Sequence, residues 1–289
     1  MKLLKYSLFI IIIWGFINSC KEEKSSQTQN IQDLFPEKVK LSGKPISLTN
    51  EDLLSTYPMI LVDSFLVFQV NRDEFLIRLY NLKTKKYVKD AIKKGKGPDE
   101  FILGFINSDG TGKNFSFYTP VQRTLYRYHI DSLLMNDSYS PEKIKDFKQD
   151  TARVSNVLMI HDSLFLCSGH FLEHHYALMD KSDVINSTGK YPDDGNKGSY
   201  SEKSVAYQSS LKQKPDHTQF VSYYINAGIL EIYNVNEKQI TPVKKLHFHY
   251  PEYRIIDGGP GRGKGAAFTR NNKNGFTGVA VTDSLIFAL

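Results

Sequence analysis

Three copies of one phrase constrain this chain more than any other feature: an apolar stretch, Asp-Ser, then a second apolar stretch. They run from Ile60 to Phe68 around Asp63-Ser64, from Val157 to Leu166 around Asp162-Ser163, and from Val279 to Phe287 around Asp283-Ser284. Asp and Ser side chains hydrogen-bond to nearby backbone groups and so suit a tight turn, while the flanking Val, Ile, Leu and Phe are strand formers. Each phrase therefore predicts a β-hairpin. The turns lie 99 and 121 residues apart, two units each for a repeat of about 50 to 60 residues, which is near the upper end of propeller blade lengths. Two weaker copies are expected midway: Asp109 to Tyr118 through Gly110-Thr111-Gly112, and Tyr223 to Ile232 through Asn226-Ala227-Gly228.

A second aromatic-rich strand ending in a polar turn recurs with them, at Phe75 to Tyr80 before Asn81, Leu125 to Ile130 before Asp131, His175 to Met179 before Asp180, and Ile229 to Tyr233 before Asn234. A further strand such as Gln239 to Phe248 completes a set of four. Seventeen Tyr and 18 Phe, against one Trp, favour pleated half-buried strands over helices. The expectation is an all-β chain of four-stranded blades arranged radially, which leaves only short, protected sheet edges.

Residues 1 to 20 specify export. Met1-Lys2-Leu3-Leu4-Lys5 precedes an unbroken apolar run from Leu8 to Ile17, and Ile17-Asn18-Ser19-Cys20 closes it. The run is about half of the roughly 20 residues a spanning helix needs, and the two lysines ahead of it form the positive end of a secretory signal. Small Ser19 before Cys20 suits a peptidase that cuts ahead of an acylated cysteine, and the segment resembles the lipobox signals of bacterial lipoproteins. The reading assigns residues 1–19 to the signal, with cleavage between Ser19 and Cys20. Cys20 is the lipidated first residue, residues 20–32 are a polar tether, and residues 33–289 are the folded domain. Lys21-Glu22-Glu23 resembles the lysine-plus-acidic export tag of surface lipoproteins. The expected location is the outer membrane, periplasmic or surface-exposed.

Composition narrows the partners. The formal charge of +6 includes the two signal lysines, leaving +4 on the mature chain, too little for a dedicated polyanion binder. Export from the cytoplasm also removes nucleic acid from consideration. Seven lysines between Lys83 and Lys96 read as a solvated strand edge, where lysine blocks sheet-to-sheet pairing. Of the two cysteines, lipidation of Cys20 leaves only Cys167, so an internal disulfide is excluded.

Gly95-Lys96-Gly97-Pro98-Asp99-Glu100-Phe101 resembles the Gly-x-Gly-Pro-x-Glu-Phe phrase of the TolB-like six-bladed β-propeller lipoproteins, and Tyr80-Asn81-Leu82-Lys83-Thr84 is similar to the same proteins. The resemblance spans residues 41 to 289. It implies the propeller fold and an envelope location, and it carries no catalytic residues. Six blades of about 50 residues from a start near Leu41 would need roughly 340 residues, so the ring is expected to be truncated at the C-terminus. Closure of a smaller ring by Phe35 to Leu48 is the less favoured alternative.

Other motifs read as structural. Gly258 to Gly265 approaches a P-loop, but Gly265 replaces the Mg²⁺-binding hydroxyl and no phosphate-capping helix is expected to follow. Asp193-Asp194-Gly195-Asn196 lacks the spacing of a calcium loop. Asp99 and Glu100 point apart on a strand and read as parts of the Gly-Pro turn. His170, His174 and His175 beside Cys167 form the one metal-like cluster; the 170/174 spacing suits a helix face, yet the flanking sequence reads as strand, which favours a hairpin connection. His247 and His249 read as half-exposed strand residues.

The functional expectation is a lipid-anchored binding or scaffold module, with no cofactor and no assigned catalysis. Blade-end loops would hold a protein or glycan partner, and the full-length protein would be a monomer. The alternative is a hydrolase or lyase with its site at the mouth of the central channel, recruiting the histidines.

Overall fold

Asp63 sits at φ 50°, a left-handed conformation that Asp tolerates better than most residues. Ser64 Oγ donates to its carboxylate, and Val62 pairs with Phe65 across the two-residue turn. That hairpin is the start of a computed structural model describing residues 28–37, 39–40, 42–43, 58–70, 74–109, 112–147, 153–259 and 263–289. The segment expected to be the signal and the first residues of the expected tether, with Ser19 and Cys20, lie outside the described residues.

The first blade is an antiparallel meander of β1 (Met59–Val62), β2 (Phe65–Gln69), β3 (Phe75–Asn81) and β4 (Lys86–Lys93). The second contains β5 (Phe105–Ser108), β6 (Asn114–Thr119), β7 (Thr124–His129) and β8 (Glu142–Asp146), and the third β9 (Arg153–His161), β10 (Leu164–Phe171), β11 (His174–Asp180) and β12 (Val184–Thr188). The fourth consists of β13 (Ser209–Gln213), β14 (Gln219–Tyr224), β15 (Gly228–Val235) and β16 (Ile240–His249). A hairpin of β17 (Tyr253–Asp257) and β18 (Lys264–Phe268) follows, then another of β19 (Val279–Val281) and β20 (Ile286–Ala288). Three short helices, α1 (Ile31–Leu34), α2 (Ile130–Met135) and α3 (Tyr200–Lys203), complete the described elements. None is long and apolar enough to cross a membrane.

The opening strands β1, β5, β9, β13 and β19 lie against one another in that order. The sheets therefore radiate from a common axis and stack face to face. This is an all-β propeller of four-stranded antiparallel blades, as the repeats predict.

Strand alternation supplies the packing. In β10, Phe165 and Cys167 face the second blade and join Tyr118, Leu125 and Phe147. Leu164 and Leu166 face the fourth blade and join Leu211, Phe220 and Tyr233. Successive side chains point to opposite faces, so a strand buried on both sides becomes an apolar run. The first two blades share a separate core containing Val67, Leu79, Ile106 and Phe117.

The Gly95–Phe101 phrase is the knot between those two blades. Phe101 N–H donates to the Lys93 carbonyl and Gly95 N–H to that of Phe101. Glu100 folds back so that its Oε2 accepts the Gly97 N–H at 2.9 Å. A methyl group at Gly95 would lie 2.0 Å from that oxygen, so a larger residue there would have to displace the Glu100 carboxylate. Phe101 is 2% exposed and meets Phe117 and Tyr126 edge-on. Asp99 accepts from Ser140, so both acids serve the turn.

The structure corrects several details. The fourth blade's opening hairpin is β13–β14, turning at residues 214–218, whereas the Asn226-Ala227-Gly228 turn joins β14 to β15. Ser-Ser-Leu-Lys-Gln in β13 offers one apolar residue and so hides the phrase. Ile130 opens α2 rather than ending β7. In the Lys83–Lys96 run, six lysines are exposed on the last turn and outer strand of the first blade; Lys89 is partly buried and donates to the Leu133 carbonyl and to Asp137. The glycine-rich segment is the tip of the β17–β18 hairpin, where Gly258 N–H donates to the Gly263 carbonyl; a P-loop's strand-to-helix geometry is absent there, and Pro260, Gly261 and Arg262 lie outside the described residues.

Candidate functional site

At the end of the blades where first strands begin and second strands finish, a cavity of about 440 Å³ opens beside the axis. Phe105 of β5, Arg153 to Asn156 of β9 and Ser209 and Ser210 of β13 supply one side. The end of β10, with Ser168, Gly169 and His170, forms the floor, and the α3 segment closes over it through Ser201, Ser204 and Gln208. Gly169 permits this floor, since a Cβ there would lie 2.0 Å from the Arg153 carbonyl oxygen.

His175 forms the deepest wall. Its Nε2 is 2.7 Å from Ser209 Oγ and its Nδ1 is 3.0 Å from Tyr191 OH. Neutral imidazole has one donor and one acceptor nitrogen and can satisfy both contacts. Burial pushes the His175 pKa down to about 4, against an opposing pull from Glu231, so the ring is neutral near pH 7.

Behind His175 stands a tyrosine cage. Tyr176, Tyr224 and Tyr233 donate their hydroxyls to Glu231 Oε2 at 2.9, 3.0 and 3.2 Å. Lys245 Nζ lies 3.1 Å from Glu231 Oε1. Burial, followed by the carboxylate's charge, raises the Tyr176 and Tyr224 pKa values far above the ordinary phenol. These hydroxyls stay protonated and structural.

The lid is built in the same way. Tyr191 stacks between Tyr200, at 4.1 Å, and Tyr207, at 5.1 Å. Ser199 and Glu202 close a reciprocal capping box at the start of α3. Asp194 accepts from Lys203 at 2.7 Å, Tyr207 at 2.8 Å and Tyr253 at 2.7 Å. Burial opposes its charge, but those hydrogen bonds hold the carboxyl below the usual range. The Asp193–Asn196 loop is thus a tie point linking α3 to β17.

The predicted histidines are separated by their partners. His170 ends β10 against Tyr200, His174 contacts Ser187, and His175 alone is engaged with Ser209. They lie on two strands joined by a hairpin, and among the described residues no group of three His, Cys, Asp or Glu side chains could hold a metal. Cys167 points away into the core between the second and third blades, and burial raises its thiol pKa. His247, expected to be half-exposed, is 1% exposed and packs on Tyr250; it pairs with the fully buried Ile229 of β15. Ser209, Glu231 and the tyrosine cage escaped the sequence reading, and Ser168 was visible there only as a serine without the Gly-x-Ser-x-Gly elbow of a nucleophile. One available signal was Glu231 itself, a charge set between Leu230 and Ile232 in the mostly buried strand Gly228–Val235.

Ser168 is 1% exposed and its Oγ has no hydrogen-bond partner, although it lines the cavity. A buried hydroxyl without a partner costs about 1–3 kcal/mol, a cost that a bound polar group would remove.

The radial four-stranded sheets with a cavity at one end of the axis define a β-propeller with a channel-mouth site. The chain belongs to the TolB-like 6-blade propeller-like family, whose profile matches residues 34–289. Similar solved structures include a Bacteroides fragilis protein described as exported, 16% identical with a TM-score of 0.42, covering 71% of this chain and 53% of that one. A duf4221 family member from Bacteroides vulgatus is 14% identical with a TM-score of 0.42, covering 69% and 61% respectively. A functionally unknown protein from Desulfotomaculum acetoxidans is 10% identical with a TM-score of 0.41, covering 80% and 74%. The chain thus spans about half to three quarters of these proteins. No curated protein matches it.

Proposed function

We propose that this protein is a lipid-anchored binding module of the bacterial envelope, holding a protein or glycan partner at the channel-mouth cavity. The single observation that carries the reading is the buried, unpartnered Ser168 hydroxyl facing the cavity. The Leu8–Ile17 run and Ser19-Cys20 support anchoring through an acylated Cys20 at the outer membrane. Residues 20–32 then act as the tether and residues 33–289 as the binding domain.

Site-specific photocrosslinking in intact cells tests the binding role. A photoreactive residue at position 210, in the cavity, is expected to capture envelope material that the same residue at exposed Val243 does not. Equal capture from both positions, or none from 210, would overturn the reading. Labelling with a palmitate analogue tests the anchor: Cys20→Ala is expected to abolish both label and membrane retention, and a variant that stays anchored would refute it.

One observation favours a hydrolase as the second reading, namely Ser209 Oγ at 2.7 Å from His175 Nε2, the contact of a nucleophile with its base. The lowered His175 pKa makes that base weak, and the next group in line is the Tyr191 hydroxyl rather than a carboxylate. A fluorophosphonate adduct on Ser209, absent in Ser209→Ala, would establish it.

A further inference from the structure

We propose that the channel-mouth cavity takes a hexuronic acid unit, a sugar ring bearing one carboxylate and several hydroxyls; this rests on the cavity being a ligand site. Three observations define the ligand. First, Arg153 is the single charged side chain lining the cavity, and no described carboxylate is within ion-pair distance of it. A guanidinium fork matches a planar carboxylate bidentately. One cation without a neighbouring lysine balances one negative charge rather than a phosphate's two. At the nearest helix start, the Ser199 and Glu202 amides are already engaged by the reciprocal capping box of α3.

Second, the rest of the polar lining is made of groups that both donate and accept, among them Ser155, Ser168, His170, Gln208 and Ser210. Ligand hydroxyls have the same dual character, so a ring with several of them pairs with such a lining in either direction. A purely donating or purely accepting ligand would leave half of it unsatisfied. Ser168 is the strongest case, since its buried Oγ and the Nδ1 of His170 both lack a partner. Third, Phe105, Pro120 and Val205 supply apolar surface against which the C–H faces of a sugar ring pack. The volume of about 440 Å³ falls within the range of small-molecule sites.

Titration calorimetry on the purified lipidated protein, with D-glucuronate, D-glucose and acetate as probes, decides the matter. D-Glucuronate is expected to bind at least tenfold more tightly than either D-glucose or acetate. Arg153→Gln is expected to weaken D-glucuronate at least tenfold while leaving D-glucose unchanged. Ser168→Ala, which removes a hydroxyl with no protein partner, is expected to weaken both sugars without lowering the melting temperature. Equal binding of D-glucose and D-glucuronate overturns the charge assignment, and acetate binding as tightly as D-glucuronate overturns the sugar assignment. Absence of binding by all three probes overturns the proposal as a whole, whereas failure of the cavity itself would show separately as loss of crosslinking from position 210.

Discussion

The Tyr176 hydroxyl reaches from the third blade to Glu231 of the fourth, 2.9 Å from Oε2, and also lies 2.6 Å from Ser222 Oγ. A carboxylate buried between two sheets survives only because it collects several donors. Removing the acceptor takes the shared partner from three tyrosine hydroxyls and Lys245 at once, whereas removing one donor leaves the others in place. Glu231→Ala is therefore expected to lose roughly 3–5 kcal/mol, and Tyr176→Phe about 1–3 kcal/mol. Urea denaturation of both variants checks the order; a Tyr176→Phe loss exceeding that of Glu231→Ala would contradict the cage.

Acid should weaken the fold before ordinary carboxylates respond. His175 has a folded pKa of about 4 against 6.5 when free, so the unfolded chain binds more protons between those values. Stability from this residue is fully present above about pH 6.5 and declines as pH falls towards 4, by roughly 3 kcal/mol in all. His175→Phe should flatten the slope of stability between pH 4.5 and 6.5, even though it loses the Ser209 contact. An unchanged slope in that variant would assign the titration elsewhere.

The hairpins at Asp63, Asp162 and Asp283 were legible because turn chemistry and apolar flanks coincide in them. The β13–β14 hairpin was not, since its turn at Asp216 is capped by side-chain bonds to Thr218 while β13 has little apolar content. Blade packing follows from strand alternation once the strands are known, as Cys167 and Leu166 on opposite faces illustrate. The cavity was invisible for a different reason. Its walls join Ser168, His175, Tyr191 and Ser209, residues from separate strands and a connecting loop, and no local period links them. Glu231 is the partial exception, because a charge within a buried strand announces a partner without naming it.

Cys167 should be inert to thiol reagents in the native protein. The side chain is fully buried, and burial raises its pKa, against a weaker opposite pull from Lys145; reactivity requires the exposed thiolate. Alkylation with iodoacetamide is expected only on unfolding, so the labelling rate should track denaturant concentration through the cooperative transition. Rapid labelling in native buffer would mean that the core between the second and third blades opens locally. The Cys20→Ala variant is the right background, since it leaves Cys167 as the sole thiol.

Strand β20 pairs with β19 along one edge, and Phe287 within it is 47% exposed while the flanking Leu285 and Leu289 are 58% and 85% exposed. Beside it runs an apolar groove walled by Phe35, Leu230, Leu246, Phe248 and Phe276. An apolar strand edge without a guarding charge is a template for intermolecular pairing. Residues 33–289 are therefore expected to self-associate at micromolar concentration, with apparent mass rising on concentration in light scattering after size exclusion. Phe287→Lys places a charge on the strand and should restore a monomer without altering the circular dichroism of the blades. A sharp monomer peak from the unmodified chain, with a single cooperative thermal transition, would show that this edge is protected and that the expectation is wrong.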